Sequence, residues 1–183
     1  MNTAAASALR DATEADLPAV QAIYAYHVLH GTGTFEEVPP DLAEMTRRWG
    51  EVRRRGFPWL VATAPGGVVG FAYANWFRPR SAFRFTCEDS VYLDPDHCSH
   101  GLGTRLLEEL LVRCAAAGAR QMLAVIGDSA NAASIGVHRR CGFAPVGTMP
   151  AVGLKFGRWL DVVFMQRALG AGASTPPPAA PPL

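Results

Sequence analysis

Residues 94–103, DPDHCSHGLG, combine two histidines, a cysteine and two acids with two glycines, and an apolar periodic run, TRLLEELL, follows them. His97, Cys98 and His100 could ligate a metal, whereas Gly101 and Gly103 could let an anion approach bare backbone. A structural zinc site takes four ligands that converge from separate directions. Three nearly adjacent donors, with no second ligand pair elsewhere in the sequence, do not meet that need. We therefore predict no metal site here.

The two glycines stand between a predicted strand that ends at Leu93 and a helix that begins near Gly103. The first N–H groups of a helix have no partner within it, and the helix dipole places partial positive charge there. Glycine lets a pyrophosphate approach these N–H groups closely. The loop lacks the Gly-Lys-Ser/Thr of a Walker motif and the third glycine of the dinucleotide fingerprint. An anion-binding loop is the prediction, although helices also begin at glycines for purely structural reasons.

Alternating helix and strand patterns must position this loop. Helices are predicted after the caps Asp16 and Asp41, the second ending at Gly56, and over residues 102–114 and 131–142. Strands are predicted over residues 59–64 and 68–77, which form a hairpin, and over 85–93, 121–128 and 158–169. This order predicts an α/β fold built on a mixed sheet.

The composition is typical of one globular domain. The 183 residues are 49% hydrophobic and 18% charged, with a net charge of +1, which disfavours a nucleic-acid partner. No apolar run is long enough to span a membrane. Four cysteines without CxxC spacing, and an N-terminus without a leader, predict reduced thiols in a cytoplasmic protein. We expect residues 1–7 and the Pro/Ala-rich residues 170–183 to be disordered, and residues 8–169 to form the domain.

The segment SVYLDPDHCSHGLGTRLLEELL (residues 90–111) resembles the acetyl-CoA motif of the GNAT N-acetyltransferases, whose loop pattern is Gln/Arg-x-x-Gly-x-Gly/Ala. Cys98 departs from it, standing where that family has Gln or Arg. TFEE, CEDSVYL, AVIGDSANAASIGVHRRCGF and VGLKFGRWLDVVFMQ resemble the phosphinothricin N-acetyltransferase branch, so the resemblance covers roughly residues 8–169. It implies the GNAT acyl-CoA N-acyltransferase fold, with helices flanking a mixed, mostly antiparallel sheet whose splayed central strands bind CoA.

The resemblance implies acetyl-CoA as co-substrate and no metal. The implied cofactor-binding residues are Val91, Tyr92, Leu93, Ser99, His100, Gly101, Leu102, Gly103, Thr104 and Asn131. The strand residues would hold the pantetheine arm as an added strand does, and the N–H of Val91 would polarise the thioester carbonyl. Asn131 would bond the pantetheine amide, and a role as helix cap is a compatible alternative.

Two side chains are candidates for proton transfer. The acceptor's α-ammonium group must lose a proton before it attacks, so a general base is useful. Glu88 matches the family's glutamate base, which acts through water; the alternative is a solvent-facing strand carboxylate, and Asp89 points to the other face. His138 stands where many GNAT enzymes have a tyrosine that protonates the departing thiolate, and a structural histidine is its alternative.

The branch also implies a small amino-acid-like acceptor, such as phosphinothricin, methionine sulfoximine or methionine sulfone. Its carboxylate and second polar group suit guanidinium and ammonium donors. The implied acceptor-binding residues are Phe35, Phe77, Arg78, Pro79, Arg80, Lys155 and Trp159, although arginines near turns are often simply solvated. If the strand over 158–169 lies at the sheet edge, its uncovered side invites pairing, and the resembling family forms homodimers.

Two other functions stay open at this point. A non-catalytic or regulatory acyl-CoA-binding module would keep the fold, and Cys98 favours it, whereas Glu88 and the segment KFGRWLD (155–161) favour an enzyme. A protein or aminoglycoside acetyltransferase is the third reading. The near-neutral net charge disfavours it, because polycationic substrates require an acidic groove.

Overall fold

The computed structural model describes residues 8–98 and 101–177. The helices in these ranges are α1 (Leu17–His30), α2 (Leu42–Arg54), α3 (Leu102–Ala116) and α4 (Ala132–Arg140). The strands are β1 (Ala8–Asp11), β2 (Trp59–Ala64), β3 (Gly67–Trp76), β4 (Thr86–Leu93), β5 (Gln121–Gly127), β6 (Ala144–Lys155) and β7 (Arg158–Ala168). They form one sheet in the order β1-β2-β3-β4-β5-β7-β6, in which β4 and β5 pair in parallel and the other neighbours are antiparallel. The predicted mixed, mostly antiparallel sheet is confirmed.

The two central strands separate after a short paired stretch. β4 and β5 are in register only over Thr86–Glu88 and Gln121–Leu123. Beyond these residues, β4 continues to Leu93 and β5 to Gly127 without pairing with each other, while each keeps its antiparallel neighbour on the other side. The predicted splay is therefore a gap in the middle of the sheet, bordered by two unpaired strand edges.

Helix α3 is fixed to the sheet by the apolar stripe that its sequence predicts. Leu106, Leu107, Leu110 and Cys114 are fully buried, at the i, i+3 and i+4 spacing of one helix face. The helix contacts β2, β3 and β4. Full burial of a leucine side chain stabilises the fold by roughly 2 kcal/mol, so this stripe holds the start of α3 firmly beside the gap.

The two predicted helix caps have different outcomes. Asp41 caps α2, because its Oδ1 accepts from the N–H of Glu44 at 2.8 Å. Asp16 precedes α1 but makes no side-chain cap, so that prediction was wrong. Its carboxylate instead accepts two hydrogen bonds from Arg10, at 2.6 and 2.7 Å, and two from Thr13. The nearby guanidinium offers a stronger, charge-assisted partner than a helix N–H group.

The sequence patterns missed two strands, β1 and β6. Strand β6 is exposed along almost its whole length and contains Gly147, Pro150 and Gly153, so it has no alternation of apolar residues to reveal it. The strand predicted over 158–169 is β7, which lies between β5 and β6. Pairing with a second copy was expected if this strand lay at the sheet edge. It does not, and the strand at this edge of the sheet is β6.

The ends of the chain are described only in part. Residues 1–7 and 178–183, which were predicted to be disordered, lie outside the described residues. Residues 170–175 form turns and a bend, and Arg120 Nη2 donates to Thr175 Oγ1 at 3.3 Å. Across the described residues, no helix has the length and apolar character needed to cross a membrane.

Candidate active site

A cavity of about 920 Å³ lies at the gap between β4 and β5. One side is formed by the unpaired end of β4 and the start of α3, and β5 and α4 border it as well. Residues 31–35, which follow α1 and are called the 31–35 loop below, line it too. The lining includes Glu88–Leu93, Gly101–Thr104, Ala124–Gly127, Asn131, His138 and Gly31–Phe35.

The start of α3 is a backbone surface. Gly101 is the N-cap of this helix, has φ of 75° and offers no side-chain cap, so the N–H groups of the first turn remain open to an anion. Gly103 lines the same cavity, as does the exposed Cys98. The predicted residues Ser99 and His100 lie outside the described residues. Among the described residues, no three His, Cys, Asp or Glu side chains come together as metal ligands.

The end of β4 is open on the side that faces β5. Val91, Tyr92 and Leu93 line the cavity and pair only with β3. Their unpaired edge can accept an extended chain as an added strand. The carbonyl of Leu93 lies 2.7 Å from His27 Nε2. Because a carbonyl only accepts, Nε2 carries the proton of that bond, which ties the end of α1 to the end of β4.

Asn131 connects β5 to α4. Its Oδ1 accepts from the N–H of Ser134 at 3.1 Å, which caps α4, and its Nδ2 donates to the carbonyl of Gly127 at 3.3 Å. The side chain also lines the cavity. The role as helix cap, weighed as an alternative from the sequence, is thus observed, and it does not remove Asn131 from the cavity.

Glu88 occupies the last paired position before the strands diverge, opposite Leu123 of β5. The side chain is half-buried and lines the cavity. Burial and the nearby charge of Asp89 raise the pKa of Glu88 to about 7, against the opposing charge of Arg78. A carboxylate with this pKa exchanges a proton readily at neutral pH, which is the property of a general base.

Asp89 faces α4 and forms a buried pair with His138. Its Oδ2 lies 3.0 Å from His138 Nε2, and His138 Nδ1 lies 2.8 Å from the carbonyl of Ser134. Both ring nitrogens therefore face acceptors, so the ring is best satisfied with two protons. Burial lowers the pKa of His138, but the hydrogen bond and charge of Asp89 outweigh it, and the pKa is raised overall. The pair joins an imidazolium to the strand that carries Glu88.

Lys155, which was predicted to bind the acceptor, has backbone partners in the folded chain. The residue is 2% exposed. Its ammonium group donates to the carbonyls of Gly31 and Thr34, both at 2.8 Å. Two of its three donors are therefore used by the backbone of the 31–35 loop. Its position in the sequence gave no sign of this, because its partners lie more than 100 residues away.

The other predicted acceptor residues are not gathered in one place. Phe35 lines the cavity. Phe77, Arg78, Pro79 and Arg80 follow β3 outside the lining, and the guanidinium of Arg78 lies 4.6 Å from the ring centroid of Phe77. Trp159, on β7, is also outside the lining and is 65% exposed. Of these six residues, Phe35 lines the cavity in one copy of the chain, and Arg78 is close enough for its charge to act on Glu88.

The sequence analysis missed a group of aromatic hydroxyls. Tyr24, Tyr73 and Tyr92 line the cavity, and Tyr92 was considered only for its backbone. Tyr24 Oη donates to Glu36 Oε1 at 2.9 Å and lies 3.0 Å from Thr34 Oγ1. Tyr24 is one of the buried residues of α1, and no local sequence pattern shows that its hydroxyl reaches a polar group.

Comparisons with known proteins agree on one family. The sequence profile described as the acetyltransferase (GNAT) family matches residues 20–143. A phosphinothricin N-acetyltransferase of Alcaligenes faecalis is 52% identical over 172 residues, which are 94% of this chain and 87% of that protein. An L-methionine sulfoximine/L-methionine sulfone acetyltransferase of Pseudomonas paraeruginosa is 49% identical over 173 residues, 93% of this chain and 99% of that protein.

A solved structure gives the same picture of the fold. The phosphinothricin acetyltransferase of Sinorhizobium meliloti, determined in complex with acetyl-CoA, superimposes with a TM-score of 0.91. Its sequence is 49% identical, and the match covers 94% of each chain. The similarity thus extends over the gap between β4 and β5 and over both sides of the cavity.

Proposed function

This chain belongs to the GNAT family of acetyltransferases, and we propose that it acetylates the α-amino group of a small amino-acid analogue. It is an N-acetyltransferase with acetyl-CoA as co-substrate. The names of the relatives suggest phosphinothricin, methionine sulfoximine or methionine sulfone as acceptors. The observation that carries the proposal is Glu88, a half-buried carboxylate with a pKa of about 7 that lines the cavity. Such a group has little use in a module that only binds CoA.

In this proposal, the cofactor lies along the unpaired edge of β4 and the start of α3. The pantetheine arm pairs with the backbone of Val91, Tyr92 and Leu93. The pyrophosphate is bound by N–H groups of residues 99–104, which include the predicted Ser99 and His100. This placement is supported by the unpaired edge of β4 and by the first turn of α3, whose N-cap Gly101 has no side chain to occupy its N–H groups. Asn131 binds the pantetheine amide with the second Nδ2 hydrogen or the second Oδ1 lone pair, which its helix-capping hydrogen bonds do not use.

The chemistry is a direct transfer. Glu88, acting through a water molecule, accepts a proton from the acceptor's ammonium group, and the amine then attacks the thioester carbon. The N–H of Val91 stabilises the oxyanion of the tetrahedral intermediate. The nitrogen of this intermediate still carries an extra proton, which it loses to solvent. Collapse of the intermediate then forms the amide, breaks the C–S bond and releases CoA as a thiolate. The His138 imidazolium gives that thiolate one of its two ring protons. Solvent then removes the proton from Glu88 and returns one to His138.

The acceptor side is proposed to be completed by a second copy of the chain. The β6–β7 hairpin exposes large apolar side chains at its surface: Val146, Met149, Val152, Leu154, Phe156 and Trp159. Monomers rarely expose a large continuous apolar patch, and a two-fold dimer would cover this one. The charged and aromatic residues Phe77–Arg80 and Trp159 would then act at the rim of the acceptor site. We place the enzyme in the cytoplasm because its four cysteines are free.

One assay tests the proposal. Thiol release from acetyl-CoA is measured with phosphinothricin, methionine sulfoximine, methionine sulfone and the ordinary L-amino acids. We expect turnover with at least one of the three analogues and a higher kcat/KM for it than for any ordinary amino acid. If calorimetry detects CoA binding while no member of the panel releases thiol, the chain binds acyl-CoA without this activity. Turnover restricted to peptides or polyamines would also contradict the proposal.

A further inference from the structure

The 31–35 loop forms a side of the cavity without belonging to a helix or a strand. It follows α1, whose C-cap is Gly31, and all five of its residues line the cavity. A segment of this kind has no repeating backbone ladder to keep it in place. Its position must therefore come from contacts made by other parts of the chain.

Strong contacts come from the end of β6. Lys155 sends its ammonium group to the carbonyls of Gly31 and Thr34, at 2.8 Å each. No carboxylate of the described residues lies within ion-pair distance of it, although Glu36 and Glu37 are close enough to act on it electrostatically. A buried cation without an ion-pair partner is costly unless hydrogen bonds satisfy it. Gly31 also ends a helix, where the helix dipole favours a cation.

Two glycines let the loop approach the sheet closely. A Cβ atom on Gly127 of β5 would lie 2.1 Å from the carbonyl oxygen of Thr32, and one on Gly153 of β6 would lie 2.2 Å from the ring of Phe35. Both distances are far below any van der Waals contact. The loop thus rests directly on the backbone of β5 and β6, and Lys155 anchors it beside these contacts.

We infer that Lys155 is a positioning residue that sets the acceptor side of the cavity by holding the 31–35 loop against β5 and β6. It touches neither the acceptor nor the cofactor. Its charge-assisted hydrogen bonds fix the backbone of Gly31 and Thr34. They thereby also position Phe35, the next residue, which lines the cavity with Thr34. The effect on turnover rests on the proposed function, whereas the effect on the loop does not.

The position of Lys155 predicts a selective kinetic change. Loss of the anchor should let the loop move and weaken acceptor binding, while the backbone surface of β4 and α3 stays intact. Lys155→Met keeps the length and apolar stem of the side chain and removes all its donors. We expect the KM for the acceptor to rise about ten-fold. The KM for acetyl-CoA and the Kd for CoA should stay within about two-fold, since neither depends on the loop.

A second variant reaches the loop without removing the cation. Gly153→Ala places a methyl group against the Phe35 ring, and it should raise the acceptor KM with the same selectivity as Lys155→Met. Gly147→Ala is the matched control, because it adds the same methyl group to the same strand where no atom lies within 4 Å. The control should leave both KM values unchanged. A merely structural role of β6 would instead lower the active fraction and hence kcat, without separating the two KM values.

Hydrogen–deuterium exchange gives a readout that needs no substrate. In Lys155→Met, peptides that contain residues 31–35 should exchange faster, whereas peptides from α3 should exchange as in the wild-type protein. Unchanged exchange in the loop, or equal rises in both KM values, would overturn the inference. If the wild-type protein acetylates none of the panel and the loop still exchanges faster in the variant, the proposed function fails and the anchoring role stands.

Discussion

The two sides of the cavity are built in different ways. The proposed cofactor side, β4 and the start of α3, presents mainly backbone, and its parts lie together in sequence between Glu88 and Thr104. The proposed acceptor side is the 31–35 loop, which depends on side chains and close contacts contributed by residues from 127 to 155. A site built locally can be recognised in one stretch of sequence. A site built from distant segments is visible only after folding.

This difference explains which predictions succeeded. The glycine at the start of α3 and the apolar stripe of that helix follow from local backbone rules, the splayed strands follow from the family resemblance, and the structure has all three. Asp16, Lys155 and Tyr24 each have a partner that no local rule selects: a guanidinium, two distant carbonyls and a carboxylate. Strand β6 was missed because exposed edge strands need no apolar alternation. The backbone around the start of α3 was thus more predictable than the contacts that hold the 31–35 loop.

The largest expected effect concerns Glu88, the proposed general base. Glu88→Gln removes the base but keeps its size, so kcat should fall about 100- to 10,000-fold while CoA binding is retained. Steady-state kinetics and calorimetry check both parts. Glu108→Gln, at an exposed position of α3, serves as a control and should keep full activity. Wild-type turnover in Glu88→Gln across the pH range would show that the base is another group.

The next effect tests whether the cofactor side binds through its backbone. Gly101 has φ of 75°, and valine there adds strain of about 1–3 kcal/mol and displaces the first turn of α3. We expect the KM for acetyl-CoA to rise about ten-fold or more in Gly101→Val, and Cys98→Arg to lower it or leave it unchanged.

Gly118→Val is the matched control for this variant. Gly118 also has a positive φ, of 91°, and open space around it, but it lies at the other end of α3. The strain is thus similar, and the distance from the cofactor is greater. Equal losses of acetyl-CoA binding in the two variants would mean that general destabilisation of α3, and not the anion site, causes the effect.

A smaller effect is expected at the hairpin that carries Lys155. Trp159 is 65% exposed and stands on the surface that we propose to be covered by a second copy. Trp159→Ala should weaken dimerisation and raise the acceptor KM several-fold, more than it raises the KM for acetyl-CoA. Sedimentation at assay concentrations measures the first change. A fully active wild-type monomer would rule out the dimer as part of the acceptor site.

The smallest expected effect is a shift in the pH dependence of kcat/KM. It tests the contact between Asp89 of β4 and His138 of α4. Asp89 raises the pKa values of both Glu88 and His138. A base works when deprotonated, so activity rises with pH through the pKa of Glu88; an acid works when protonated, so activity falls through the pKa of His138. In Asp89→Asn both pKa values fall, and both limbs of the kcat/KM profile should move to lower pH while its maximum changes only a few-fold. If only the low-pH limb moves, Glu88 is supported as the base and His138 is not the acid. If the low-pH limb does not move, Asp89 does not act on the base.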